Sequence, residues 1–79
     1  MRTEINVKLK NIFSTLFFVD EDQITPESSQ DSIENWDSMQ HLNLVTAIED
    51  EFKCSFEEED IVQMLNFQLI ATIVEEKIL

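Results

Sequence analysis

The apolar residues of this chain recur with the period of an α-helix, and this spacing limits the fold more than any other feature. Over residues 3–18 the large apolar side chains fall three or four positions apart, as on one face of a helix. Similar stripes run through residues 38–52, 56–65 and 67–77. No stretch keeps the two-residue alternation of a half-buried strand. The pattern therefore predicts an all-α four-helix bundle, with three longer helices, one short helix and a long first loop.

The same spacing predicts the core, which draws on large aliphatic and aromatic side chains from one face of each helix. For the first helix the predicted core residues are Ile5, Leu9, Ile12, Phe13, Leu16 and Phe17. For the later helices they are Leu44, Val45, Ile48 and Phe52, then Ile61, Val62 and Leu65, then Phe67, Ile70, Ile73, Val74 and Ile78. Phe18 and Val19 are expected to turn into the core where the first helix ends.

A connection of unusual length, residues 20–37, separates the first two helices. Loops of this length in compact domains are usually functional or ordered by their own side chains. The expected tethers to the core are Ile24, Ile33 and Trp36. Thr25-Pro26 is a helix-start signal, so one helical turn is expected there.

Polar residues predict where three of the helices begin. Asp37 is the expected N-cap of the second helix, because a short side-chain oxygen can accept the free N–H bonds of the first turn. Gln40 has the spacing that closes a capping box with it. Ser55 and Glu58 have the same spacing before the short helix, and Asn66 is the expected cap of the last helix.

Ser38 carries the most suggestive reactive group in the chain. It follows the predicted cap and becomes the first residue of the second helix. A phosphate esterified there would be stabilised by free backbone N–H groups and by the positive end of the helix dipole. No base is placed to take its proton, since His41 lies toward the inner face. Ser38 is therefore interpreted as a place of covalent modification and not as a catalytic nucleophile.

Size and charge limit the partners of the chain. Its 79 residues, 43% of them hydrophobic, suit one small domain spanning residues 1–79. The net charge is −12, and fourteen of the 17 acidic residues lie between positions 20 and 60. This field repels nucleic acid and anionic lipid, and it speeds encounter with basic proteins. With no membrane-spanning run, no signal-peptide pattern and a single cysteine, Cys54, the expected state is a cytoplasmic monomer.

One face of the second helix points away from the predicted core and combines apolar anchors with carboxylates. We refer to this surface as the docking face. Its residues are Met39, Leu42, Asn43, Thr46, Glu49 and Asp50. Such a surface is suited to a basic protein partner.

At these residues the sequence resembles the acyl carrier protein family, which includes the related peptidyl and aminoacyl carriers. Asp37-Ser38-Met39 is similar to the family's Asp-Ser-Leu attachment motif, and residues 42–52 are similar to its acidic second helix. The resemblance extends, more weakly, over nearly all 79 residues. Trp36, Asn43 and Thr46 depart from the pattern of carriers in fatty acid synthesis.

The resemblance implies a stand-alone carrier without catalytic activity. Ser38 would bear a 4′-phosphopantetheine arm, installed from coenzyme A by a separate phosphopantetheinyl transferase with Mg²⁺. Asp37 would help to hold the transferase's metal ion. The arm would hold acyl intermediates of fatty acid, polyketide or related biosynthesis as thioesters. The docking face would meet basic patches on acyl-loading and acyl-using enzymes.

Two alternatives also fit these residues. A peptidyl or aminoacyl carrier has the same arm and a different cargo. An acidic helical interaction module has the same fold and no arm. A calcium loop from residue 20 onward is excluded, because Ile24 occupies a ligand position and Thr25 replaces the required glycine.

Overall fold

Four α-helices form where the apolar stripes lie. They are α1 (Arg2–Phe17), α2 (Ser38–Phe52), α3 (Glu58–Val62) and α4 (Phe67–Ile78), with a 3₁₀ turn, η1 (Glu21–Gln23), in the first connection. This computed structural model describes residues 2–78. Helix α1 packs against both α2 and α4. The predicted all-α bundle of three longer helices and one short helix is confirmed, and none of the described helices is long and apolar enough to cross a membrane.

Aromatic side chains occupy the centre of the core. The ring of Phe13 meets Trp36 and Phe67 edge to face, with centroids 5.3 and 5.2 Å away. Phe17 stacks on Trp36 at 5.4 Å. These contacts join α1, the first connection and α4 into one core. Most of the predicted core residues of α1, α2 and α4 are buried. The predicted core residues that lie only partly buried at its edge are Ile12, Leu16, Phe52, Ile61 and Ile78.

The first connection is ordered by its own side chains and closes the start of α4. Its predicted tethers Ile24, Ile33 and Trp36 are all buried, which confirms their role. The carbonyl oxygen of Pro26 accepts the N–H of Gln68, and the carbonyl oxygen of Ser28 accepts the N–H of Phe67. The side chain of Asn66 accepts the N–H of Leu69, so Asn66 caps α4 as predicted. The turn expected at Thr25-Pro26 forms as one hydrogen-bonded turn, in which the N–H of Ser28 donates to the carbonyl oxygen of Thr25, and it does not continue into a helix.

The end of α1 differs from the prediction. Phe18 is 83% exposed, while Val19 is partly buried against the core. The N–H of Phe18 still donates to Ser14 at the end of the helical ladder, and its φ of 59° lies in the left-handed region. This backbone turn carries the aromatic ring away from the core.

Helix α3 is shorter than predicted and begins at a different cap. The predicted pairing of Ser55 with Glu58 is wrong, because the carboxylate of Asp60 instead accepts the N–H of Glu57 at 3.0 Å. The helix then ends at Val62, and the turn that follows points Met64 into the core. Of the three predicted core residues of this segment, two are therefore wrong; Val62 and Leu65 are each 66% exposed.

Candidate attachment site

Ser38 lies exposed at the first position of α2, at the surface end of a well-capped helix. Asp37 has extended backbone angles, and its Oδ1 accepts the N–H of Gln40 at 2.8 Å. Its own carbonyl oxygen accepts the N–H of His41 at 2.8 Å and so starts the helical ladder. The predicted N-cap is confirmed. The Ser38 side chain is exposed at this position.

The second half of the predicted capping box is wrong. Gln40 does not reach back to the cap; its Nε2 donates to the carbonyl oxygen of Leu16 at 3.4 Å. Its Oε1 accepts a hydrogen bond from Asn43 at 2.7 Å. Gln40 thus joins the first turn of α2 to the end of α1. The attachment site gains a link to a neighbouring helix in place of a local cap.

Trp36 connects the start of α2 to the core. It lies two residues before Ser38 and is 2% exposed. Its indole N–H donates to Nδ1 of His41 at 3.0 Å, and the planes of the two rings are 18° apart, with centroids separated by 5.9 Å. Because Nδ1 accepts, the imidazole proton resides on Nε2, which lies 3.1 Å from the carbonyl oxygen of Ile61 and donates to it. The core, the start of α2 and the short helix α3 are therefore connected beside Ser38.

This hydrogen-bonded chain was missed by sequence reasoning, which treated His41 as a helix residue facing inward. A donor–acceptor pair of Trp36 and His41 flanking a helix start is a signal that the sequence does contain. The third member could not be found in this way. The carbonyl oxygen of Ile61 meets the imidazole only because α3 docks against α2.

The docking face lies largely in solvent. Met39 is 77% exposed and Leu42 is 59% exposed. Asn43, Thr46 and Asp50 are also exposed. Asn43 donates to Oε1 of Gln40, and the hydroxyl of Thr46 donates to the carbonyl oxygen of Leu42, both within α2.

Glu49 differs from the other residues of the docking face. It is half-buried, and its Oε2 accepts the backbone N–H of Phe56 at 2.8 Å. Its carboxylate is therefore also part of the link between α2 and the segment before α3. Cys54, near this link, has a pKa raised first by burial and then by the charge of Glu49, which favours the neutral thiol.

Charges near α3 form one defined pair. Lys77 Nζ lies 2.9 Å from Asp60 Oδ2. The pKa of Asp60 is lowered, first by the N–H of Glu57 and then by Lys77, and the pKa of Lys77 is raised by Asp60. Among residues 2–78 no three or more His, Cys, Asp and Glu side chains are grouped so that they could hold a metal ion.

Comparison with known proteins identifies this arrangement of helices. No family model matches the sequence. The fold is similar to the solution NMR structure of the holo acyl carrier protein from Geobacter metallireducens, with a TM-score of 0.82 and 30% sequence identity. The match covers 91% of this chain and 83% of that one. This chain belongs to the acyl carrier protein family. Membership gives it the role of a carrier, and in this acyl carrier protein Ser38 and the residues of the docking face lie on one helix.

Proposed function

We propose that Ser38 is the attachment point of phosphopantetheine and that the protein delivers acyl groups, held as thioesters on this arm, to biosynthetic enzymes. The observation that carries the proposal is the exposed Ser38 hydroxyl at the capped start of α2, in a chain with the acyl carrier fold. The similar protein from Geobacter metallireducens is described as holo. The proposed pathways are fatty acid, polyketide or related biosynthesis.

The residues around Ser38 suit a phosphodiester. The backbone N–H groups of the first turn and the helix dipole favour negative charge there. The side chain that precedes it, Asp37, already has one oxygen engaged by the N–H of Gln40, so the cap stays in place when Ser38 is modified. The arm itself supplies a terminal thiol on a flexible chain.

Attachment requires another enzyme. The Ser38 oxygen attacks the phosphorus of the pantetheine phosphate in coenzyme A, a new P–O bond forms, and adenosine bisphosphate leaves. The serine proton passes to a base of the phosphopantetheinyl transferase, since the nearby imidazole of His41 is engaged by Trp36 and Ile61. We assign Asp37 a contact with the transferase's Mg²⁺ through its remaining carboxylate oxygen.

The docking face supports the delivery step. Met39 and Leu42 offer exposed apolar side chains beside Ser38, and Asp50 adds exposed negative charge along the same helix. An apolar anchor within an acidic rim fits enzymes whose entrances are basic. Asn43, Thr46 and Glu49 complete the proposed contact surface.

Intact mass spectrometry tests the proposal. The protein is incubated with coenzyme A, Mg²⁺ and a transferase of broad specificity, next to Ser38→Ala and the control Ser55→Ala, which removes another exposed serine before a helix. We expect the parent and Ser55→Ala to gain the mass of one phosphopantetheine and Ser38→Ala to gain none. A parent protein that gains no mass would instead support an unmodified acidic interaction module.

A further inference from the structure

We propose that the cleft between α1 and α2 is a contact site for the phosphopantetheinyl transferase that modifies Ser38, and that an apolar side chain of this enzyme occupies it against the ring of Phe18. The inference rests on the proposed attachment at Ser38. It adds a second surface, at the end of α1, to the docking face of α2.

The cleft is a largely apolar groove at the protein surface. Its volume of about 370 Å³ lies near the lower end of the range for ligand clefts, about 300 to 1,000 Å³. The apolar lining comes from Ile12, Leu16 and Phe18 on one side and from Ala47 of α2 on the other. Among the described residues, the lining is completed by the uncharged polar side chains of Asn11, Thr15 and Gln40. An apolar side chain can therefore leave water there without burying a charge.

Phe18 forms a wall of this cleft that is open to solvent. In the part of the chain that the structure describes, it is the most exposed large apolar residue, at 83%, ahead of Met39 at 77%. Aromatic side chains are enriched at protein interfaces, because each one can bury a large apolar area. The Phe18 ring buries little of its area in the free protein, so a partner that covers it gains this contribution.

Hydrogen bonds hold the end of α1 close to the attachment site. Nδ2 of Asn35 donates to the carbonyl oxygen of Phe17 at 2.8 Å, and Nε2 of Gln40 donates to that of Leu16 at 3.4 Å. The two donors precede and follow Ser38 in the chain. Gln40 also lines the cleft. A protein that reaches Ser38 from this side therefore meets the cleft as well.

The chemistry of attachment favours the transferase as the occupant. A bond forms directly between the Ser38 oxygen and phosphorus, so the enzyme that holds coenzyme A has to lie against the start of α2. Enzymes that act on the thioester are reached through the flexible arm and have no need to approach α1 as closely. The contact beside Ser38 is therefore assigned to the enzyme that installs the arm.

Charge indicates what surrounds the apolar side chain of the partner. The exposed residues Asp20, Glu21 and Asp22 follow Phe18 within four positions, and η1 packs against α1. These carboxylates favour Lys or Arg next to the apolar side chain that enters the cleft. A second copy of this chain is a poor occupant, because each copy has a net charge of −12 and the two would repel each other.

The experiment measures how fast the arm is installed at increasing concentrations of the carrier. A broad-specificity transferase is the probe, coenzyme A and Mg²⁺ are saturating, and intact mass gives the initial rates. Phe18→Asn removes the ring, and asparagine tolerates the left-handed backbone of this position. Phe18→Tyr keeps the ring. Val7→Asn is the matched control, since it removes an exposed apolar side chain of α1 about 16 Å along the helix from Phe18.

We expect Phe18→Asn to raise the KM for the carrier at least about fivefold with kcat nearly unchanged, because the apolar contact contributes to binding and not to the chemical step. Phe18→Tyr and Val7→Asn should keep the KM of the parent, and urea denaturation verifies that every variant is folded. A Phe18→Asn protein with the parent KM, or with a lowered kcat and the parent KM, would overturn the inference and leave the proposed function in place. A parent protein that gains no mass contradicts the proposed function itself.

Discussion

At the scale of single residues, the end of α1 shows how one backbone angle decides where a side chain lies. Phe18 has φ of 59° and is 83% exposed. A residue with a β-carbon pays about 1 kcal/mol in the left-handed region, a cost that glycine avoids. The chain contains no glycine to take this position. Because the phenylalanine ring is almost fully exposed, its burial does not offset this cost.

We expect Phe18→Asn to raise the free energy of unfolding by about 0.5 kcal/mol, because asparagine tolerates the left-handed region better than phenylalanine. Urea denaturation measures the change. Val7→Asn is the matched control, since Val7 is 59% exposed within the regular part of α1. Valine and asparagine have about the same helix propensity, so this variant should not gain stability. A Phe18→Asn protein that is less stable than the parent would contradict this account of the helix end.

Substitutions at Asp37 separate its two roles. Asparagine caps helices about as well as aspartate, so Asp37→Asn should leave stability nearly unchanged, whereas Asp37→Ala should lose about 1 kcal/mol. Both variants lack the charge assigned to the transferase's Mg²⁺, and both should gain the arm more slowly than the parent. Urea denaturation and the rate of mass gain are the two measurements. If Asp37→Asn were modified at the parent rate, the metal contact would be refuted and only the cap would remain.

The contrast between these residues shows what the sequence can reveal at this scale. The cap at Asp37 and the place of Ser38 depend on neighbours within one helical turn, and local residue types predict them. The direction of Phe18 depends on a single dihedral angle after the last helical residue. The bond from Trp36 through His41 to Ile61 depends on how two helices dock, which local residue types do not encode.

At the scale of secondary structure, α3 depends on its neighbours. A helix of five residues, Glu58–Val62, is far too short to persist alone. Side chains of α2 and α4 hold it through His41, Glu49 and Lys77. The predicted start was wrong because the capping box forms between Glu57 and Asp60 and not between Ser55 and Glu58. The longer helices carry complete apolar stripes, so their ends were predicted to within one residue.

Glu49 and Asp50 are expected to respond differently to substitution, although both belong to the docking face. Glu49→Ala should lower the free energy of unfolding by about 1 kcal/mol, because the N–H of Phe56 loses its acceptor. Asp50→Ala, at an exposed position, should leave stability within about 0.5 kcal/mol of the parent. Urea denaturation compares the two variants. Equal losses would show that the Glu49 contact does not stabilise the α2–α3 link.

The pair of Asp60 and Lys77 makes stability depend on pH at both extremes. Since the pKa of Asp60 is lowered by folding, its contribution is complete above the unfolded-chain pKa of about 3.9 and is lost as the pH falls through the lower folded pKa. The pKa of Lys77 is raised, so its contribution is complete at neutral pH and is lost only as the pH rises through that value.

We therefore expect Asp60→Asn to be less stable than the parent at pH 7, with the difference shrinking below about pH 4. Thermal unfolding across this range measures it, and Glu59→Gln, an exposed neighbour in the same helix, is the control. A difference that stays constant into acid would show that the charge of Asp60 does not contribute.

At the scale of the whole molecule, surface charge and core packing have separate roles. The net charge is −12, and its acidic centre, residues 20–60, includes both Ser38, the proposed attachment point, and the docking face. The core behind them is filled by aromatic contacts that hold the start of α2 in place. Composition and periodicity predicted the bundle and its acidic surface. The contacts among the aromatic rings of the core depend on how α1, α4 and the first connection pack together, and they emerged only from the structure.

The central claim is that Ser38 presents the arm and its cargo. Tandem mass spectrometry of the protein isolated from its native cells tests this most directly. We predict phosphopantetheine on the peptide that contains Ser38. Native protein whose Ser38 peptide is wholly unmodified, or whose arm is attached to another residue, would contradict the account.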